Sequence, residues 1–294
     1  MDEPSASHCR AAAPVPVRAG VSLKAQHYQP VIEQRPSIGW FEVHPENYMG
    51  AGGPPLGYLE RIRRDYPISL HSVGTSLGSH LPLDRDHLGA LKGLVDRFEP
   101  GIVSEHLSWS HGREWYTHDL LPLRYTEDAL NKVVEHVDQV QEALQRKILI
   151  ENPSTYLQFR DSEMTEQAFL VEAARRSGAG LLLDINNVYV SCCNHDWDIE
   201  AYLSAIPANL VGEIHLAGHT VQAMSRGTLR LDDHGSAVCD EVWKLYKNCI
   251  ETLGPVPTLI ERDSNIPEFA ELLGESIIAD QVLTAAGDKY EVAV

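Results

Sequence analysis

The chain has 294 residues, 43% of them apolar, and carries 42 acidic against 24 basic side chains, a formal net charge of −18. That length and apolar share support a large buried core and exclude disordered and fibrous classes. The acidic balance opposes contact with phosphate backbones, which bind through clustered Lys and Arg, so no nucleic-acid partner is expected.

Residues 1–16 read as a flexible N-terminal tail and residues 17–294 as one domain. The opening MDEPSASHCRAAAPVPVRAG lacks the basic start and continuous apolar stretch of a secretory signal, and no later run is long enough to span a membrane. A soluble cytoplasmic protein with no membrane partner is expected. Short apolar runs then recur: GVSLK at 20–24, IGWFEV at 38–43, ISLH at 68–71, GIVSEH at 101–106, KILIE at 147–151, GLLLD at 180–184, LVGEIH at 210–215 and TLIE at 258–261. Each reads as a buried strand.

Helical patterns alternate with these strands. Leu88, Leu91, Val95 and Phe98 form one apolar stripe, and Leu130, Val133, Val137, Val140 and Leu144 form another. Thr126 before Glu127 and Asp128 reads as an N-cap, while Gly178 and Gly254 stand where helices should stop. Segments 167–176, 199–206, 238–253 and 267–283 complete the set. Eight strand–helix units in this length predict an α/β fold of the (β/α)8 barrel type. A doubly wound open sheet is the alternative, but the first strand lacks the glycine-rich dinucleotide fingerprint. The five cysteines include the adjacent pair Cys192 and Cys193, a poor disulfide framework that suits a reduced compartment.

Most of these strands end abruptly in a carboxylate or an imidazole. In a parallel barrel the strand ends build the active site, so Glu42, His44, His71, Glu105, His106, Glu151, Asp184, Glu213, His215 and Glu261 are expected to ring one mouth. Histidines and carboxylates without cysteine make a nitrogen and oxygen ligand set suited to iron or manganese, with zinc possible chemistry as well. So many carboxylates exceed the needs of one ion and point to two or more metals sharing a bridging carboxylate. Strand alternation lets Glu213 and His215 share the lumen, and it allows only one of Glu105 and His106 inward, for which His106 is favoured. Asp232 and His234 in LDDHG are spaced to reach one further ion.

The motifs WFEVHPENYM, LHSVGTSLGS, SEHLSW, IENPSTYL, LLLDINNVYVS, EIHLAGH, DDHG and IERDSNIPEF, running from about Gly20 to Phe269, resemble the multinuclear non-haem iron-dependent oxidative enzymes. This family was formerly known as domain of unknown function 692, or UPF0276. The resemblance implies a xylose-isomerase-like TIM barrel and catalytic metal ligands carried over residue by residue. One iron would be held by His71, His106 and Glu151, and a second by the bridging Glu151 with Asp184, His215 and Glu261. A third, more labile iron would use Asp232 and His234 with an Asn of the DINN motif, assigned to Asn187, although uninterrupted strand alternation from Asp184 would favour Asn186.

By the same resemblance, the enzyme would use dioxygen to modify cysteine residues of a ribosomally made precursor peptide, aided by a small leader-recognising partner protein. The substrate thiolate would bind one iron. His44, Asn47, Asn152 and Arg262 are expected to line the mouth, and His219, four residues after His215, to approach the cluster or the substrate. Two rivals stay open: another metal-dependent barrel enzyme, such as a sugar isomerase or a trinuclear-zinc endonuclease, and a non-catalytic iron- or peptide-binding scaffold.

Overall fold

The computed structural model describes residues 14–112, 115–225 and 227–292, so positions 1–13 of the expected tail lie outside the described residues. The strands in chain order are β1 (Ala19–Ser22), β2 (Phe41–Val43), β3 (Ile68–Ser72), β4 (Ile102–His106), β5 (Trp109–His111), β6 (Tyr116–Leu121), β7 (Leu149–Glu151), β8 (Gly180–Asp184), β9 (Val211–Leu216), β10 (Thr220–Ala223), β11 (Thr228–Leu231) and β12 (Thr258–Ile260). Eight of them close a parallel barrel in the order β1-β12-β9-β8-β7-β4-β3-β2. All eight coincide with the runs singled out in the sequence. The remaining four form two antiparallel hairpins, β5–β6 and β10–β11, in stretches where the sequence reading names no strand.

The helices are α1 (Tyr28–Gln34), α2 (Pro54–Asp65), α3 (Arg85–Phe98), α4 (Glu127–Leu144), α5 (Glu166–Ser177), α6 (Ile185–His195), α7 (Ile199–Ser204), α8 (Asp240–Leu253) and α9 (Phe269–Val292). The stripe of α4 is buried as its spacing demands, with Leu130, Val133 and Val137 at 0% exposure. Each such burial contributes about 1.5–3 kcal/mol. Thr126 accepts a hydrogen bond from the Ala129 N–H and so caps the helix. Gly178 and Gly254 terminate α5 and α8 with φ of 70° and 84°, conformations that a Cβ would strain. Among the described residues no helix is long and apolar enough to cross a membrane.

Helices α1, α2 and α6 are absent from the sequence reading; over α6 the β-branched Ile185, Val188 and Val190 favour extended chain. Asp184 overrides that propensity. Its carboxylate accepts from the Asn187 N–H at 2.6 Å, so the last residue of β8 is also the N-cap of α6. The chain therefore turns immediately after Asp184 instead of continuing the alternation.

Candidate metal centre

Register places the donors side by side. His106 on β4 pairs with Glu151 on β7, and Asp184 on β8 pairs with His215 on β9, so neighbouring strands present paired side chains to the same lumen. The Nε2 atoms of His71 and His106 each lie 3.0 Å from Oε2 of Glu151. His106 Nδ1 faces the Ser72 carbonyl at 3.1 Å. A carbonyl only accepts, so Nδ1 carries the hydrogen and the Nε2 lone pair is left for the cluster. Glu105 turns aside as expected, accepting from the Thr75 and His106 N–H groups.

Across the lumen, His215 Nδ1 is 3.0 Å from Glu261 Oε2, and His234 Nδ1 approaches the same oxygen at 3.4 Å. His234 Nε2 lies 2.7 Å from Asp232 Oδ1. Asn187 donates from Nδ2 to Glu151 Oε1 at 3.2 Å, whereas Asn186 donates to Asp232 at 2.8 Å. Both asparagines thus reach the cluster from the first turn of α6, Asn187 beside Glu151 and Asn186 beside Asp232.

The buried atoms Asp184 Oδ2 and Asn187 Oδ1 make no hydrogen bond among the described residues. Such atoms are expensive to leave unmatched. Four nitrogen- and oxygen-donor groups, His71–Glu151–His215, Asp184–His234–Glu261, His44–Glu261–Asp263 and, behind His215, Glu42–Glu213–His215, each bring their atoms within 4.8 Å of one another among the described residues. These donors fit one or more divalent cations.

Electrostatics agree. Burial opposes protonation of His106, but Glu151 and Glu105 outweigh it and push the imidazole up to about 10. Burial equally opposes ionisation of Glu151, yet His106 and His71 prevail and bring it down to about 2. Asp184 is pushed well above the carboxylate range by burial, reinforced by Glu151 and Asp232 and opposed by His234. Positive charge is wanted at the centre of this cage, whether a proton or a metal ion supplies it.

Not every expected residue faces the opening. A cavity of about 850 Å³ above the cluster is lined by His44, Asn47, His106, Asn187, His234 and Glu261 among others. Asn152 is turned away: both its amide atoms bind the Asp184 backbone, Nδ2 to O and Oδ1 to N, each at 2.9 Å. Arg262 is also spent elsewhere, pairing with Glu275 of α9 at 3.0 Å. His219 stands outside the cavity wall with Nδ1 on Asn186 Oδ1 at 2.9 Å. Glu42 and Glu213 lie behind His215, with Oε1 atoms 3.3 and 3.5 Å from its Nε2, and do not ring the mouth.

Two wall residues escaped the sequence reading. Asp263 reaches His44 and His234, and the signal for it was its place two residues after Glu261. Glu46 accepts from Ser72 Oγ and from the Val73 and Gly74 N–H groups at 2.8–3.0 Å, bracing the loop after β3. Cys192 is buried in α6, and burial, with Glu166 nearby, pushes its thiol up to about 12, so it is not a ready nucleophile.

Fold and site together define a xylose-isomerase-like (β/α)8 barrel with a nitrogen- and oxygen-donor centre at the strand ends. Residues 18–284 match the family model described as RiPP precursor modification enzyme MbnB/TglH/ChrH, and the chain belongs to that family of peptide-modifying enzymes. It is 50% identical over 282 residues to a UPF0276 protein of Rhizobium meliloti, covering 95% of this chain and 91% of that one. A UPF0276 protein of Caulobacter vibrioides is 49% identical over 275 residues, covering 94% and 98%. Among solved structures, a xylose isomerase-like TIM barrel protein from Mycobacterium smegmatis in complex with magnesium superposes with a TM-score of 0.58 at 14% identity, over 94% of this chain and 99% of that one. An L-ribulose 3-epimerase gives 0.57 at 14% identity, over 94% and 97%. At such identities the likeness concerns the fold alone.

Proposed function

We propose that this chain is an iron-dependent oxidase that uses dioxygen to modify cysteine residues of a ribosomally synthesised precursor peptide. The observation that carries this reading is the convergence of two imidazole nitrogens, of His71 and His106, on one buried carboxylate oxygen of Glu151. His71, His106 and Glu151 would hold one ion, Glu151 with Asp184, His215 and Glu261 a second, and Asp232, His234 and Asn187 a third. Bound iron would supply the dioxygen and one-electron chemistry and a position for the substrate thiolate.

The chain's own groups prepare that site. The Ser72 and His71 carbonyls orient His106 and His44 through Nδ1. The cavity has room for a peptide segment, and its rim carries exposed apolar side chains, Tyr116, Leu120, Tyr156 and Leu157. Such a rim suits an extended chain lying across the mouth. A small partner protein recognising the leader, and action in the cytoplasm, belong to the same reading.

The test is to purify the protein without oxygen or chelators, determine its metals, and add a cysteine-containing precursor peptide encoded beside the gene. Oxygen uptake that depends on the peptide, with a mass change at its cysteine, supports the reading. Zinc alone with no response to ferrous iron, or conversion of a free sugar without oxygen, overturns it.

A further inference from the structure

We propose that Glu42, braced by Ser69, is a positioning residue that fixes His215 with its hydrogen on Nε2, so that Nδ1 is the atom offered to a metal. The inference rests on the metal-centre reading above. His215 is fully buried, and its two ring nitrogens face different worlds. Nδ1 is 3.0 Å from Glu261 Oε2, inside the cluster. Nε2 points behind it, 3.3 Å from Glu42 Oε1 and 3.5 Å from Glu213 Oε1; these are ion-pair distances, and neither Nε2 nor Glu42 Oε1 makes a hydrogen bond among the described residues.

The geometry that holds Glu42 is specific. Register pairs Glu42 on β2 with Ser69 on β3, and Ser69 Oγ donates to Glu42 Oε2 at 3.0 Å. One carboxylate oxygen is therefore anchored and the other aimed at His215. An ionised carboxylate only accepts, so a hydrogen shared with it sits on His215 Nε2, and the lone pair is left on Nδ1. A partner of this kind sets the tautomer, aligns the ring and raises its basicity as a ligand.

His106 makes a telling contrast. There the Ser72 carbonyl takes the Nδ1 hydrogen and leaves Nε2 for the cluster. The imidazoles on opposite walls are thus set in opposite tautomers, one by the backbone and one by a buried acid. Glu213, with Oε1 3.5 Å from the same Nε2, forms the second wall behind the ring, but no hydroxyl braces it.

The experiment titrates full-length protein with ferrous iron, and separately with cobalt(II), without oxygen. In E42L one bound ion should weaken by about 10- to 100-fold, the range for loss of a partner behind a ligand. E42Q keeps an accepting oxygen and should stay close to wild type. In the cobalt protein an exchangeable ring N–H resonance, assigned by its loss in H215A, should sit on Nε2 and exchange faster in E42L. S69A supplies a second arm should E42L fail to fold, and is expected to weaken the same ion and speed the same exchange. Wild-type binding in both E42L and S69A, or an N–H on Nδ1, overturns the proposal. Wild-type protein that binds no metal overturns the metal centre itself, so the two failures are distinct.

Discussion

The Nε2 atoms of His71 and His106 lie 3.2 Å apart, although the residues are 35 positions apart in the chain. When neither Nε2 carries a hydrogen, two lone pairs at that separation repel, and a carboxylate oxygen of Glu151 facing both deepens the negative potential. A cation relieves all three groups at once, which makes this trio the point where removal of a single side chain should be felt most.

Replacing His106 or Glu151 by Ala should therefore abolish iron binding at this trio and lower peptide-dependent oxygen uptake by at least about 100-fold, more than loss of an outer partner causes. The barrel should remain, since neither side chain packs the apolar core. Metal analysis and far-ultraviolet circular dichroism of the purified variants check both halves.

Loading the site should stabilise the fold. A ligand present at about 100 times its Kd adds roughly 2.7 kcal/mol, which for a domain of this size raises Tm by roughly 4 °C. Calorimetry before and after chelation should show that difference in the wild type. H106A should show a much smaller one.

Glu166 makes stability depend on pH. Burial pushes its carboxyl up to about 7, against the Tyr125 and Tyr202 hydroxyls that donate to it at 2.7 and 2.9 Å. An unfolded Glu titrates near 4.3, so between about 4.5 and 7 the folded state binds more protons than the unfolded one. Stability therefore falls as pH rises through that window, by an amount on the order of 3 kcal/mol, and levels off above it. E166Q should remove this slope. Subtracting its denaturation curves from those of the wild type cancels the titration of the metal centre.

Gly218 permits a close approach that no other residue allows. A Cβ there would lie 2.2 Å from the Ser236 carbonyl oxygen and 2.5 Å from that of Ala237, backbone atoms that cannot rotate away. G218A should destabilise the protein by about 1–3 kcal/mol. It should also displace the segment carrying Asp232 and His234 and weaken the ion they hold. Urea denaturation and metal stoichiometry measure the two effects separately.

Much of the donor set was legible because its chemistry is local. IVSEH and GLLLD each end an apolar run with a polar group, and a parallel barrel gathers strand ends at one mouth. The motif series also identified the family. Other features were hidden. The β10–β11 hairpin has only four-residue strands, with β10 exposed throughout, too short and too polar to register as a periodic pattern. Asn152 and Arg262 looked like mouth residues by position, yet their side chains are claimed by the Asp184 backbone and by Glu275.

By itself the sequence determined the alternation of strand and helix and the kinds of atom at each strand end, since burial pattern and residue chemistry are written in consecutive positions. Only the tertiary structure decided how deep each acid sits and which partner it meets. Closing the barrel put Glu42 and Glu213 behind His215 and brought His44 to Asp263, 219 residues away. Strand tilt and cross-strand register set those depths, and a pattern confined to neighbouring residues contains neither.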